Sequence, residues 1–157
     1  MNGNYLLAIV LGIGFVAGLR SFTAPAVVAW AAHLGWLNLQ DSRLAFMGST
    51  AAVTILSLLA LGELFADKVP GVPRRTSIGP LLARIGTGAL SGACLGVAAN
   101  QSLLPACVLG GVGGVVGAFV GYEVRRQLVT QRHFKDFVVA VVEDLTAIGL
   151  ACLLVFR

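Results

Sequence analysis

The sequence predicts an all-α, polytopic integral membrane bundle of about six helices in one domain spanning residues 1–157, and three observations carry that prediction. Hydrophobic residues make up 57% of the chain and charged ones 11%, with a mean hydropathy of +0.90. That is more apolar surface than a single water-soluble core of this size requires. The apolar residues fall in continuous runs, without the dyad alternation that membrane-spanning strands need, so helices are preferred over a barrel. No polar stretch between the runs is long enough to build a soluble core.

The first two runs, Tyr5 to Leu19 and Ala24 to Trp36, fall short of the roughly 20 residues of a perpendicular crossing. They are expected as short packed half-helices or re-entrant segments, and whether they cross fully is left open. Met1 to Asn4 lacks a basic n-region, so the start does not read as a cleaved signal peptide. The third run, Leu44 to Ala66, is long enough to span. After it, the prolines at 70 and 73 stop the helix and turn the chain. The fourth, fifth and sixth runs, Ile78 to Ala99, Leu103 to Tyr122 and Phe137 to Phe156, are comfortable spans.

Lysine and arginine set the expected orientation. Lys68, Arg74, Arg75, Arg125, Arg126 and Arg132 fall in the loops after the third and fifth runs, with Lys135 at the edge of the second loop and Arg20 after the first run. Only Arg43 and Arg157 fall on the other side if all six runs cross. The basic loops are therefore expected in the cytoplasm, both termini outside and the chargeless turn Asn100 to Leu104 external. The net charge of +4 is read as a topology signal and not as a nucleic-acid footprint, although Arg125, Arg126, Arg132 and Lys135 can also touch anionic lipid heads.

Glycine carries the packing information. Gly110 with Gly114, and Gly113 with Gly117 and Gly121, form overlapping small-xxx-small series in the fifth run. Such series let helix backbones approach where lipid supplies no hydrophobic drive for association. That face is expected to meet another helix, and a homo-oligomer built through it is part of the prediction. Gly12, Gly14 and Gly18 in the first run recur at the same spacing as Gly86, Gly88 and Gly92 in the fourth. Three runs before and three after admit a 3+3 inverted repeat, while independent packing grooves explain the same glycines.

Conventional enzyme chemistry finds little foothold. Cys94, Cys107 and Cys152 lie in apolar runs without paired spacing, which suits core residues better than a metal or redox site. His33 lies near Trp30 and Trp36 and reads as an interfacial anchor, while His133 sits in a basic loop. There is no nucleophilic triad, phosphate-cradling loop or zinc spacing, so neither enzymatic activity nor a cofactor is expected. Whether a metal is handled is left open.

What remains is a set of ionisable residues inside apolar runs, where they are costly unless paired, interfacial or functional. Glu63 and Asp67 lie four apart on one helical face, with Glu63 about 6 Å further inward. Glu143 and Asp144 follow Asp136 by seven and eight residues, about 10 to 12 Å from the helix start. These acids can line a pocket for a proton or cation. Alternatively, Arg20, Lys68 and Arg84 neutralise them and tie the helices together.

The runs GLRSFTAPAV (Gly18 to Val27), ELFADKVP (Glu63 to Pro70), RTSIGPLLARIGTGALSGA (Arg75 to Ala93) and VVEDLTAIG (Val141 to Gly149) resemble blocks of a bacterial inner-membrane family catalogued as domain of unknown function 4126. The resemblance implies a small polytopic inner-membrane protein and no assigned activity. Carried over block by block, it draws attention to Arg20, Glu63, Asp67, Lys68, Pro70, Arg75, Thr76, Glu143 and Asp144. The segment ELFADK also resembles, more loosely, the E-x-G-D-K motif of small cation/proton exchangers. Here the spacing is one residue longer, Phe65 and Ala66 replace the glycine, and no second copy follows, so it serves only to rank cations among solutes.

The functional expectation is a small transporter or channel-like protein for an ion or small solute, lodged in the lipid bilayer and coupled to protons or cations. Glu63, Asp67, Glu143 and Asp144 would take up the cation or proton, with Arg20 and Arg84 holding the acids in register or meeting an anionic substrate. The alternative is a non-transporting scaffold or accessory subunit whose buried charges specify helix contacts.

Overall fold

The computed structural model describes residues 3–66, 77–130 and 136–156. Among them every regular element is helical: α1 (Gly3–Leu19), α2 (Thr23–His33), a short 3-10 turn (Ala45–Gly48), α3 (Thr50–Ala66), α4 (Ile78–Ala98), α5 (Leu103–Thr130) and α6 (Asp136–Val155). Three helices, α4, α5 and residues Phe137–Val155 of α6, are long and apolar enough to cross a membrane, while Tyr5–Leu19 and Thr50–Ala66 are shorter apolar helices. Large apolar side chains such as Ile55, Leu58, Phe65, Leu104 and Leu145 stand exposed along the helices. A surface of this kind is stable against hydrocarbon rather than water.

Element ends depart from the apolar runs where local hydrogen bonding intervenes. α2 stops at His33 because Gly35, at φ +79°, turns the chain back. The amides of Trp36 and Leu37 then both donate to the Ala31 carbonyl, at 2.8 and 3.2 Å. The third run is not one helix. It begins as the 3-10 turn, passes through the extended Ser49, and becomes α3 when the Ser49 hydroxyl accepts the Ala52 amide at 3.1 Å, an N-cap. α5 continues to Thr130, beyond the last apolar stretch. Its added turns carry Glu123, which pairs with Arg126 at 3.4 Å and accepts from Gln127 at 3.0 Å. Arg125 and Arg126, expected in a loop, therefore stand on a helix.

The centre of the bundle is the trio α1, α4 and α5. Gly14 stands opposite Gly110 and Gly18 opposite Gly114, so α5 runs parallel to α1. On the other flank, Gly88 meets Gly110 while Gly114 meets Arg84, so α4 runs antiparallel to α5. A β-carbon on Gly88 would lie 2.6 Å from the Gly110 carbonyl oxygen, and one on Gly114 2.6 Å from that of Arg84. Backbone contact of this closeness is open only to glycine. Gly113 and Gly117 pack in the same way on Leu11, Phe15 and Gly18 of α1, and Gly121 packs on Leu19. The α5 glycines are thus filled from within the chain by α1 and α4. The expectation that this face joins a second copy is corrected accordingly.

The remaining helices complete the bundle around α1 and α2. α2 and α3 are antiparallel, tied at one end by Ser21 to Glu63 and further along by Trp30 to Ser57 at 3.0 Å. α6 runs antiparallel to α1, with Asp144 beside Arg20 and Leu154 beside Gly12. At the far end Trp36 meets Phe156 edge to face at 5.1 Å between ring centroids, and Trp30 meets His33 at 6.3 Å.

Candidate functional site

The site grows from the break between α1 and α2. A helix end leaves backbone groups without intrahelical partners, carbonyls at the C-terminus and amides at the N-terminus. Residues 20 to 22 join two such ends in a tight turn, and Arg20, Ser21 and Thr23 there are buried. The turn lies level with Arg84, about 9 Å of helical rise beyond the start of α4, and with Asp144, about 12 Å beyond the start of α6. Unpaired polar groups at such a place are expensive, and charged side chains from other helices satisfy them.

Arg84 closes the end of α1. One of its terminal nitrogens donates to the Leu19 carbonyl at 2.9 Å and also to that of Gly18. Glu63 closes the start of α2 from across the bundle: its two carboxylate oxygens accept the Ser21 amide at 2.8 Å and the Phe22 amide at 2.9 Å. Phe22, at the N-cap position, offers no capping side chain of its own, so α3 supplies the acceptor. The signs suit the helix dipoles, with the cation at a C-terminus and the anion at an N-terminus. The two caps also face each other, Arg84 Nη2 lying 3.8 Å from Glu63 Oε1.

Arg20 extends the layer to α6. Its guanidinium is fully buried, donates to the Glu63 backbone carbonyl at 3.3 Å and pairs with the Asp144 carboxylate. The turn, α3, α4 and α6 are thereby joined through four charged side chains. Removing one member strands another in a medium that solvates ions poorly.

Glu143 points elsewhere. It pairs with Arg125 of α5 at 3.7 Å, and both line a cavity of about 400 Å³ between α1, α5 and α6 whose other walls are apolar apart from Thr146. At Gly121 a β-carbon would lie 2.7 Å from the Leu19 side chain but only in ordinary contact, 3.7 Å, with Glu143 Oε1.

The residues singled out in the sequence therefore divide. Arg20, Glu63, Arg84 and Asp144 come together. Glu143, about 100° round α6 from Asp144, faces Arg125 of α5 instead, which corrects the picture of all the acids lining a single vestibule between α3 and α6. Asp67, Lys68, Pro70, Arg75 and Thr76 lie outside the described residues. Sequence reasoning missed Arg125 as a partner, because its run looked finished at Tyr122, and it missed the Ser21 and Phe22 amides. The chemistry open to the layer is ion-pair exchange: protonating a carboxylate, or offering it a cation, loosens its hold on arginine and on the amides.

The remaining candidates are unremarkable. His33 Nδ1 lies 2.9 Å from the Gly48 carbonyl oxygen, within the aromatic end of the bundle. Cys94 is buried, Cys107 and Cys152 half-buried, and all three are free thiols. Among the described residues no three histidine, cysteine or acidic side chains cluster closely enough to hold a metal ion.

No curated protein and no solved structure matches the chain significantly. Residues 7–157 do match a family, described as "Domain of unknown function (DUF4126)". That match covers nearly the whole chain, with α1 from Leu7 onward, all of α2 to α6 and every member of the charged layer, so the protein belongs to the DUF4126 family.

Proposed function

We propose that the protein is a small inner-membrane transporter or channel-like protein for an ion or small solute, coupled to protons or cations through acids of α3 and α6. The observation that carries this reading is the charged layer at the α1–α2 turn. There the opposed ends of two short helices meet beside Glu63 and Asp144, and side chains that can change partner hold them shut. Broken helices with ionisable residues at their ends are the usual way a membrane protein handles a charged solute.

In this reading a proton or cation reaching Glu63 weakens its bonds to the Ser21 and Phe22 amides, and one reaching Asp144 releases Arg20. Either event frees the turn to move, and Arg20 and Arg84 then serve to hold the acids or to meet an anionic solute. Glu143, and Asp67 outside the described residues, belong to the approach. The finer topology is part of the proposal: about six membrane helices with α1 and α2 short, crossing or re-entrant, basic loops in the cytoplasm, both termini outside, and the bacterial inner membrane as the location. Two glycines of each set, Gly14 and Gly18 of α1 and Gly88 and Gly92 of α4, seat on α5, with α1 parallel to it and α4 antiparallel, which supports an inverted 3+3 relation; Gly12 instead meets Leu154, and Gly86 has no neighbour within 4 Å. A homo-oligomer also belongs to the reading, on a face other than the glycine side of α5. No enzymatic step and no cofactor is part of it.

A second reading has its own support. Glu63, Glu143 and Asp144 each lie against an arginine, as expected of a scaffold or accessory subunit whose charges only fix helix contacts. Proteoliposomes with a trapped pH-sensitive dye, given sodium, potassium or manganese gradients, separate the two. The carrier reading expects proton-linked flux that Glu63→Gln and Asp144→Asn abolish while the protein remains folded. Flux unchanged in both variants removes the carrier, and its absence from the wild type leaves the scaffold.

A further inference from the structure

We infer that the last turn of α3, Gly62 to Ala66, is a latch that bends at Gly62 and that Glu63 holds shut on the α1–α2 turn. This deepens the carrier reading and rests on it only in taking Glu63 as a group that changes partner. The first support is that α3 is anchored by apolar packing near one end alone. Among the described residues it packs on α2 and on the 3-10 turn, and makes no comparable contact with α1, α4, α5 or α6. Its apolar anchors are Val53, the one buried residue of the helix, and Leu56, which packs against the core. Ser57 adds the bond from the Trp30 indole at 3.0 Å. Beyond Ser57 no α3 residue is buried, and Leu58, Leu61 and Phe65 are each more than half exposed.

The far end is held by polar bonds instead. Past Ser57, the side-chain and cross-bundle ties of α3 among the described residues are those of Glu63: its carboxylate on the Ser21 and Phe22 amides and 3.8 Å from Arg84, its carbonyl on Arg20. A proton or a competing ion can exchange such bonds, whereas apolar packing has no chemical switch. The swing itself meets little resistance, because Leu61 and Phe65 already face outward and lipid tails are as apolar as the protein they would leave. Gly62 supplies the pivot. A β-carbon there meets nothing within 4 Å, so no close approach calls for glycine, unlike Gly88 or Gly114. What glycine does at this position is weaken the helix one residue before the latching carboxylate. Opening uncovers the Ser21 and Phe22 amides and Arg84 together.

The test places pairs of spin labels on the full chain in lipid nanodiscs, with Cys94, Cys107 and Cys152 replaced by alanine. One label goes on Phe119 of α5, the other on Phe65 beyond the bend or on Leu58 before it; all three positions are exposed. Phe65 lies three residues past Gly62, about 4.5 Å along the axis, so opening should displace its label by about 3–5 Å. The wild type should show one distance from each pair. Glu63→Gln, which keeps one acceptor oxygen, should add a second distance at Phe65 and none at Leu58, and Gly62→Ala in the same chain should shrink that second population. A single unshifted Phe65 distance in folded Glu63→Gln overturns the latch, and equal displacement at Leu58 and Phe65 overturns the bend at Gly62. Should Glu63→Gln not fold, the same pairs are read in Glu63→Asp, which keeps the charge but falls one methylene short of the amides; an unshifted distance there overturns the latch equally. A second distance without proton-linked flux in the wild type supports the latch and sinks the carrier, while flux lost with the distance unshifted does the reverse.

Discussion

Two glycines on the same helix allow the packing argument to be tested almost without confounders. Gly86 and Gly88 are two residues apart in α4, but a β-carbon at 86 meets nothing within 4 Å, while one at 88 lies 2.6 Å from the Gly110 carbonyl oxygen. Alanine at either position gains helix propensity of about 1 kcal/mol over glycine. At Gly88 the new methyl must move from 2.6 Å to ordinary contact near 3.4 Å, so α4 and α5 separate by about 0.8 Å. The obstacle is backbone and cannot rotate away, which places the penalty at the upper end of the 1–3 kcal/mol typical of overpacking, about 3 kcal/mol. Gly88→Ala should therefore lose about 2 kcal/mol net and Gly86→Ala gain up to about 1, a gap of about 3 kcal/mol. At about 2–4 °C per kcal/mol for a chain of this size, the melting temperatures in detergent should differ by about 6–12 °C. Arg84 stands one turn before Gly88, so the displacement should also pull its guanidinium from the Gly18 and Leu19 carbonyls. Equal melting of the two variants, or a more stable Gly88→Ala, would refute the close approach of α4 and α5.

The charged layer yields further expectations. Arg20→Met strands Asp144 and should destabilise by about 3–5 kcal/mol, whereas Arg20→Met with Asp144→Leu should recover much of that loss in the same melt. Glu63→Ala leaves both the Ser21 and Phe22 amides without their acceptor and should lose about 2–6 kcal/mol, while Glu63→Gln keeps one oxygen and should lose about half as much. Amide hydrogen exchange at those two residues should rise in the same order. A membrane-permeant maleimide should label Cys107 and Cys152 well before Cys94 in the folded protein; early labelling of Cys94 would mean that the core around α4 opens readily.

Much of this was legible in the chain. Helical class and the apolar runs followed from composition and continuity, and Arg20, Glu63, Arg84 and Asp144 stood out because ionisable residues are rare in such runs. Their pairing was not legible. Glu63 caps α2 from another helix, 42 residues from Ser21, and caps supplied at that distance leave no spacing signature. The end of α5 was hidden because an apolar run measures contact with hydrocarbon, whereas the helix continues on an i,i+3 ion pair and an i,i+4 hydrogen bond made by Glu123. The glycine series announced a close approach correctly but misassigned its partner. A small-residue face specifies how near two backbones come, and α1 and α4 satisfy that requirement as well as a second copy would.

The cross-bundle capping of residues 20 to 22 has a consequence for biogenesis. The first hairpin leaves the ribosome long before the groups that complete it: Arg84 emerges two helices later, and Asp144 follows Arg20 by 124 residues. Until then the polar turn must wait beside the insertion machinery or at the lipid surface, so the N-terminal hairpin settles last even though it is synthesised first.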